Sequence, residues 1–260
     1  MPKKLVLPFF ISFVLLQAAH ADLIEELDAT ATRTGFFKII KTPNEVLGER
    51  DADHLNPVML ATEQVEWRVY VPRNYDRQSP PGVLVFVSSI EWGGIPEEWQ
   101  PVMEKKNLIW ISASNAGSSA PVEQRMVKAI IAPRAVDRDY PIDMNRIFIA
   151  GFADGGKVAN LVQTAEPGVF KGGIYMCGAL FWGDKTPARL DEMRENRHVF
   201  IRGCFDSKER DVRFVHKQYV EAGLERSELI TTKTRRRRLP QPKYVDNAID
   251  YLDGAELAAE

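Results

Sequence analysis

Five residues in the middle of the chain, Gly151, Phe152, Ala153, Asp154 and Gly155, join an apolar run to a helical one with no spacer between them. A bend that tight needs glycine on either side, and it lifts its middle side chain clear of the layer below. A serine at that apex would be placed as a nucleophile. The chain has Ala153 there instead, a methyl group that can neither lose a proton nor bond to an acyl carbon. Asp154, beside the apex, reads as a helix cap or a solvent-facing carboxylate. Ser88 and Ser89 follow another apolar run and offer hydroxyls, with no base near them in the sequence. Four consecutive arginines, Arg235 to Arg238, concentrate positive charge suited to carboxylate or phosphate, or form a solvated loop. His198 opens an apolar strand, His216 lies in mid-helix and His54 precedes the sheet. A histidine with no placed partner reads as structural or surface.

The elements that must position these groups are legible from their periodicity. Gly35 to Ile40 and Gln64 to Val71 read as early strands. In the second, Val65, Trp67, Val69 and Val71 alternate with Glu66, Arg68 and Tyr70, the pattern of a half-buried antiparallel edge. Val83 to Val87 and Leu108 to Ser112 are continuous apolar runs, as parallel strands buried on both faces require. A helix is expected from Pro96, with Glu97 and Glu98 in its first turn, and another over Val122 to Asp139, where Pro133 kinks it or starts its last turn. Arg146 to Ala150 is the strand that enters the bend. Gly173 to Cys177, His198 to Arg202 and Glu228 to Thr232 follow as strands, each with a helical segment behind it. Strands alternating with helices in this way predict a parallel sheet wrapped on both faces, with its ligand chemistry at the carboxyl ends of the strands.

Residues 1–21 carry the signature of a signal peptide: Lys3 and Lys4, an apolar run from Leu5 to Leu16, and a small-x-small site at Ala19-His20-Ala21. That run is too short to span a membrane, so the expectation is export to the periplasm or beyond, with no integral span after the signal is removed. Residues 22–64 read as an N-terminal extension with an early strand, which forms one globular domain with residues 65–260. With 45% hydrophobic residues, 13 Phe and 5 Trp, the chain can bury a large core. A net charge of −2 argues against nucleic acid as a partner, because such binding needs a basic surface to displace counterions. The four His and two Cys show no metal-ligand spacing, and nothing points to a cofactor.

Longer stretches carry a family resemblance. The runs WRVYVPRNYD (67–76), VLVFV (83–87), YPIDMNRIFIAGFADGG (140–156) and PGVFKGGIYMCG (167–178) resemble the polyhydroxybutyrate-depolymerase and feruloyl-esterase-like branch of the α/β-hydrolase superfamily. The resemblance extends from about Val65 to Gly254 and implies an α/β-hydrolase fold: a mostly parallel central sheet with helices on both faces. Members of that branch are exported serine esterases whose triad comes in the order Ser, Asp, His. Carried over by position, the nucleophile falls on Ala153, the acid on Asp206 and the base on Arg237. Arginine stays protonated near neutral pH and cannot act as a general base. The two oxyanion donors would be the N–H of Asp154 and one from the loop Ser88 to Gly94. Cys177 and Cys204 would end neighbouring strands, and an oxidising compartment would let them form a disulfide.

The resulting expectation is an exported protein that has lost serine-esterase catalysis and acts by binding a small anionic or acyl ligand, or an acidic partner. Asp154, Ser88, Ser89, Arg235, Arg236 and Arg238 are the candidate binding residues. One alternative is an active carboxylesterase or depolymerase with a non-standard nucleophile. Another is a structural envelope protein without a small-molecule pocket, in which side chains fill the crevice above Ala153.

Overall fold

Strand β3 (Gly82–Val87) is buried at every residue, and so is β4 (Leu108–Ala113). Both faces must therefore be covered. Because strand side chains alternate, the two faces collect separate cores. Val83, Val85, Ile109, Ile111, Ile147 and Ile149 belong to one, and Leu84, Phe86, Trp110 and Phe148 to the other. The computed structural model describes residues 33–183, 185–203, 209–232 and 238–255, and the elements below all lie in one compact unit, Thr34–Glu260.

Eight strands form one sheet in the order β1-β2-β4-β3-β5-β6-β7-β8. The remaining strands are β1 (Gly35–Lys41), β2 (Val65–Val71), β5 (Ile147–Phe152), β6 (Gly172–Met176), β7 (Arg197–Arg202) and β8 (Ser227–Thr231). β2 pairs antiparallel with both β1 and β4, and every other pairing is parallel. The connection from β3 runs to one side and that from β5 to the other, so a crevice opens between their carboxyl ends.

Helices α1 (Pro43–Leu47), α2 (Glu49–Asp53), α3 (Gln100–Lys106), α4 (Val122–Asp137), α5 (Asp154–Ala165), α6 (Leu190–Glu195), α7 (Glu209–Glu221) and α8 (Pro242–Leu252) complete the described elements. Apolar residues of α4, α5 and α7, among them Ala132, Val158 and Val215, cover the first core. Met103 of α3, with Val245 and Ile249 of α8, covers the second. There Phe86 stacks on Trp110 with ring centroids 4.5 Å apart, and Trp99 meets both edge-on. Trp99 also donates its indole N–H to the carbonyl of Pro240 at 3.0 Å, so the buried ring leaves no polar atom unmatched.

Two expectations need correction, and the N-terminal extension carries helices besides its strand. β2 is antiparallel but is not an edge, since β1 lies outside it. Its alternation of buried and half-buried residues comes from a face that helices leave partly open. The segment between the first two strands contains α1 and α2. A reciprocal cap between Thr42 and Glu45, with proline at the first helical position, starts α1. The turn expected to begin a helix at Pro96 is a 3₁₀ turn over Glu97–Trp99, and α3 starts only at Gln100. Pro133 lies inside α4. No helix among the described residues is long and apolar enough to cross a membrane. The signal-like segment 1–21, Cys204, Asp206 and Arg235 to Arg237 lie outside the described residues.

Candidate functional site

The bend from β5 into α5 is as tight as its sequence implies, since β5 ends at Phe152 and α5 begins at Asp154. Ala153 alone makes the turn, with φ 53° and ψ −115°. That conformation costs a non-glycine residue on the order of 1–3 kcal/mol, so the surroundings must enforce it. Ala153 N–H donates to the Met176 carbonyl at 2.7 Å, which ties the apex to the end of β6. A Cβ on Gly155 would overlap the Val87 carbonyl oxygen, and one on Gly178 would overlap that of Ala153. Glycine at both positions lets α5 approach β3 and lets the chain after β6 approach the apex. The apex is partly exposed and carries only a methyl group.

Val87 pairs with Gly151, so Ser88 and Ser89 leave β3 beside the bend. Ser88 is 5% exposed, and its hydroxyl accepts from Ile90 N–H at 3.1 Å. The Ser89 carbonyl accepts both the N–H and the hydroxyl of Ser118, at 3.2 and 3.1 Å. Glu91 in the same loop accepts from the Ser119 hydroxyl and from Gly117 N–H. These bonds, led by that from Ser119, hold its carboxyl below the usual carboxylate range. The loop after β3 is thus clasped by the loop after β4 rather than hanging free over the crevice.

Arg125 of α4 joins these parts, and nothing in the sequence singled it out. Its side chain is 1% exposed. Nε donates to the Ala116 carbonyl at 3.0 Å, Nη2 to the Ser88 carbonyl at 3.0 Å, and Nη1 to Asp154 Oδ2 at 2.5 Å. One guanidinium therefore fixes the loop after β4, the end of β3 and the first residue of α5. Asp154 does not cap the helix, as Ala153 occupies that position. Nor is it free in solvent, because its carboxylate is the counter-charge for a buried cation. The available signal was an arginine one helical turn from Val122 and Ala129, but its partner lies 29 residues away.

The described imidazoles stand away from the bend. His198 aligns with Gly173, and Gly173 with Ile149, four residues before Ala153, so His198 lies about 13 Å back along the strand direction. It is fully buried, donates from Nε2 to the Met193 carbonyl at 3.0 Å and faces the Tyr175 hydroxyl through Nδ1 at 3.2 Å. Burial pushes its pKa down to about 4. His216 of α7 bonds to the Ser227 carbonyl at the amino end of β8, and His54 follows α2 at the surface. Of the four arginines, Arg238 is described, and it is exposed just before Leu239 and Pro240. Cys177 directly follows β6 with φ 57°. No group of three or more His, Cys, Asp or Glu among the described residues is arranged to hold a metal ion.

No family model matches the chain, and no curated protein does. Solved structures do. A thermostable esterase superposes with a TM-score of 0.57 at 15% identity, over 84% of this chain and 62% of that one. Dipeptidyl peptidase 4 from Porphyromonas gingivalis gives 0.55 at 14% identity, over 74% of this chain and 34% of the other. This chain thus spans less than two thirds of either protein. The feruloyl esterase module from Clostridium thermocellum, as a serine-to-alanine mutant complexed with sinapinate, gives 0.58 at 10% identity, over 89% of this chain and 94% of that one. Together with the strand order and the partly antiparallel, mostly parallel sheet, these similarities show an α/β-hydrolase fold.

Proposed function

We propose that this chain is an exported protein of polyhydroxybutyrate-depolymerase or feruloyl-esterase-like descent that has lost serine-esterase catalysis and acts by binding. The observation that carries this reading is Ala153: the strained apex is kept, with φ 53°, while the oxygen that would attack an acyl carbon is missing. The first N–H groups of a helix have no acceptor within it. An anion or a polarised carbonyl above Ala153 would therefore meet the Asp154 N–H at the positive end of α5. The ligand we assign to the crevice is a small anion or an acyl compound, with Arg235, Arg236 and Arg238 drawing it in, or an acidic partner protein in its place.

Two observations weigh against a displaced nucleophile. Asp154 is held by Arg125, and the Ser88 hydroxyl is engaged by Ile90 N–H. Neither has a described imidazole at hand to activate it. A disulfide between Cys177 and Cys204, formed on export, would fix the loop after β6 beside the apex.

The test is to rebuild the lost groups. The double substitution Ala153→Ser with Arg237→His should hydrolyse short acyl esters and react with a fluorophosphonate probe, while either single substitution does neither. Failure of the folded double variant to label would mean that Asp206 and the backbone donors no longer form a catalytic frame, and descent from an esterase would lose its main support.

A further inference from the structure

A second concave surface lies beside the loop that follows β6. It is a cleft of about 540 Å³ between residues 179–183, which follow β6, and the middle of α7. Ala153 does not line it. Leu180 and Phe181 form one wall, Phe214 and Val215 the other, and Gln218 is the one lining side chain with polar atoms among the described residues. Leu180 is 38% exposed and Phe214 57%, so both walls present apolar surface to water.

The cleft is built rather than accidental. Leu180 N–H donates to Asn160 Oδ1 at 2.9 Å, and Asn160 Nδ2 donates to the Tyr219 hydroxyl at 2.6 Å. A buried amide thus links the loop wall to the helix wall. Behind them Phe181 packs at a 32° tilt on Trp182 with centroids 4.2 Å apart, and Trp182 packs on Tyr219 at 5.2 Å. Gln218 donates one amide N–H to Glu221 at 2.7 Å, which leaves its other N–H and its carbonyl oxygen for a ligand.

From this geometry we infer that the cleft between the loop after β6 and α7 is a binding site for a neutral aromatic small molecule with one hydrogen-bonding group. The volume lies in the range of small-molecule sites. No ionisable group is among its described lining residues, so a charged ligand would be desolvated there without a partner. Aromatic walls favour a flat ring, and the Gln218 amide can meet its hydroxyl, N–H or carbonyl. No residue of the bend is among its described lining residues, and the site would stand if the protein proved to be an active esterase.

Titration with N-phenylnaphthylamine, which is neutral, aromatic and carries one N–H, tests the site. Saturable fluorescence enhancement with one site per chain is expected. Phe214→Glu and Leu180→Glu, both at exposed positions, should each weaken binding about tenfold or more by placing a charge in the cleft. Val220→Glu, on the same helix, 45% exposed and outside the cleft, should leave affinity unchanged. Unchanged urea midpoints would show that each variant is folded. Absence of saturable binding would overturn the assignment, as would equal loss in Val220→Glu or tighter binding of the anionic anilinonaphthalene sulfonate.

Discussion

The guanidinium of Arg125 meets the carboxylate of Asp154 at 2.5 Å, with the arginine side chain 1% exposed and the aspartate 46% exposed. The pair is asymmetric. Removing the carboxylate strands a buried cation, whereas removing the cation releases a carboxylate that water can reach. Asp154→Ala should therefore lower stability by about 2 kcal/mol, a figure held down by the exposed partner. Arg125→Ala should cost about 3–4 kcal/mol, since it also frees the carbonyls of Ser88 and Ala116. Urea unfolding of both variants and the double variant closes a cycle, and a coupling of about 1 kcal/mol or more is expected. Coupling near zero would make Asp154 an ordinary surface residue.

The strain at Ala153 has a separate signature. Ala153→Gly should leave stability unchanged or raise it by up to about 1 kcal/mol, because relief at φ 53° offsets the greater freedom of glycine in the unfolded chain. Gly155→Ala should cost more than about 3 kcal/mol, since its new methyl would overlap the Val87 carbonyl. Thermal melts of the two variants should move in opposite directions or differ by many degrees. A loss of stability in Ala153→Gly comparable to that in Gly155→Ala would mean the apex is not under strain.

Stability should also fall in mild acid because of His198. Its pKa is lowered from 6.5 to about 4 by burial, so as pH falls the unfolded chain takes up the proton first. The stability tied to the neutral ring is complete above about pH 6.5. It is lost progressively between that pH and about pH 4, by about 3 kcal/mol in all. Denaturant titrations of the wild-type protein and of His198→Asn at several pH values check this. The wild type should show the steeper decline, and parallel profiles would show that His198 already carries its proton in the folded state.

The parts of this architecture that could be read from the sequence are those fixed by neighbours along the chain. VLVFV is a doubly buried strand in any setting, and the glycines around Ala153 leave few turns that would fit. The long-range features were not readable in that way. Arg125 and Asp154 are 29 residues apart, and Asn160 and Leu180 are 20 apart. No local pattern couples either pair. The polar residues Glu66 and Arg68 suggest an edge for β2, yet β1 pairs beside it and what they mark is a half-buried face of the strand. The α1 signal, Thr42-Pro43 with Glu45, was present in the sequence but lay inside a stretch of mixed composition.

The proposed disulfide gives a direct chemical prediction. Intact protein recovered from an oxidising compartment should gain two alkyl groups only after reduction, one at Cys177 and one at Cys204. Alkylation of both thiols without reductant would remove the pair from the account.

The proposed loss of catalysis rests on the missing oxygen at Ala153, and the assay that tests it most directly uses the unaltered protein. Purified chain should hydrolyse short acyl esters no faster than a heat-killed control and should take up no fluorophosphonate label. Turnover well above that control, with a labelled serine located by peptide mapping, would mean that a nucleophile operates elsewhere and that the protein is a hydrolase.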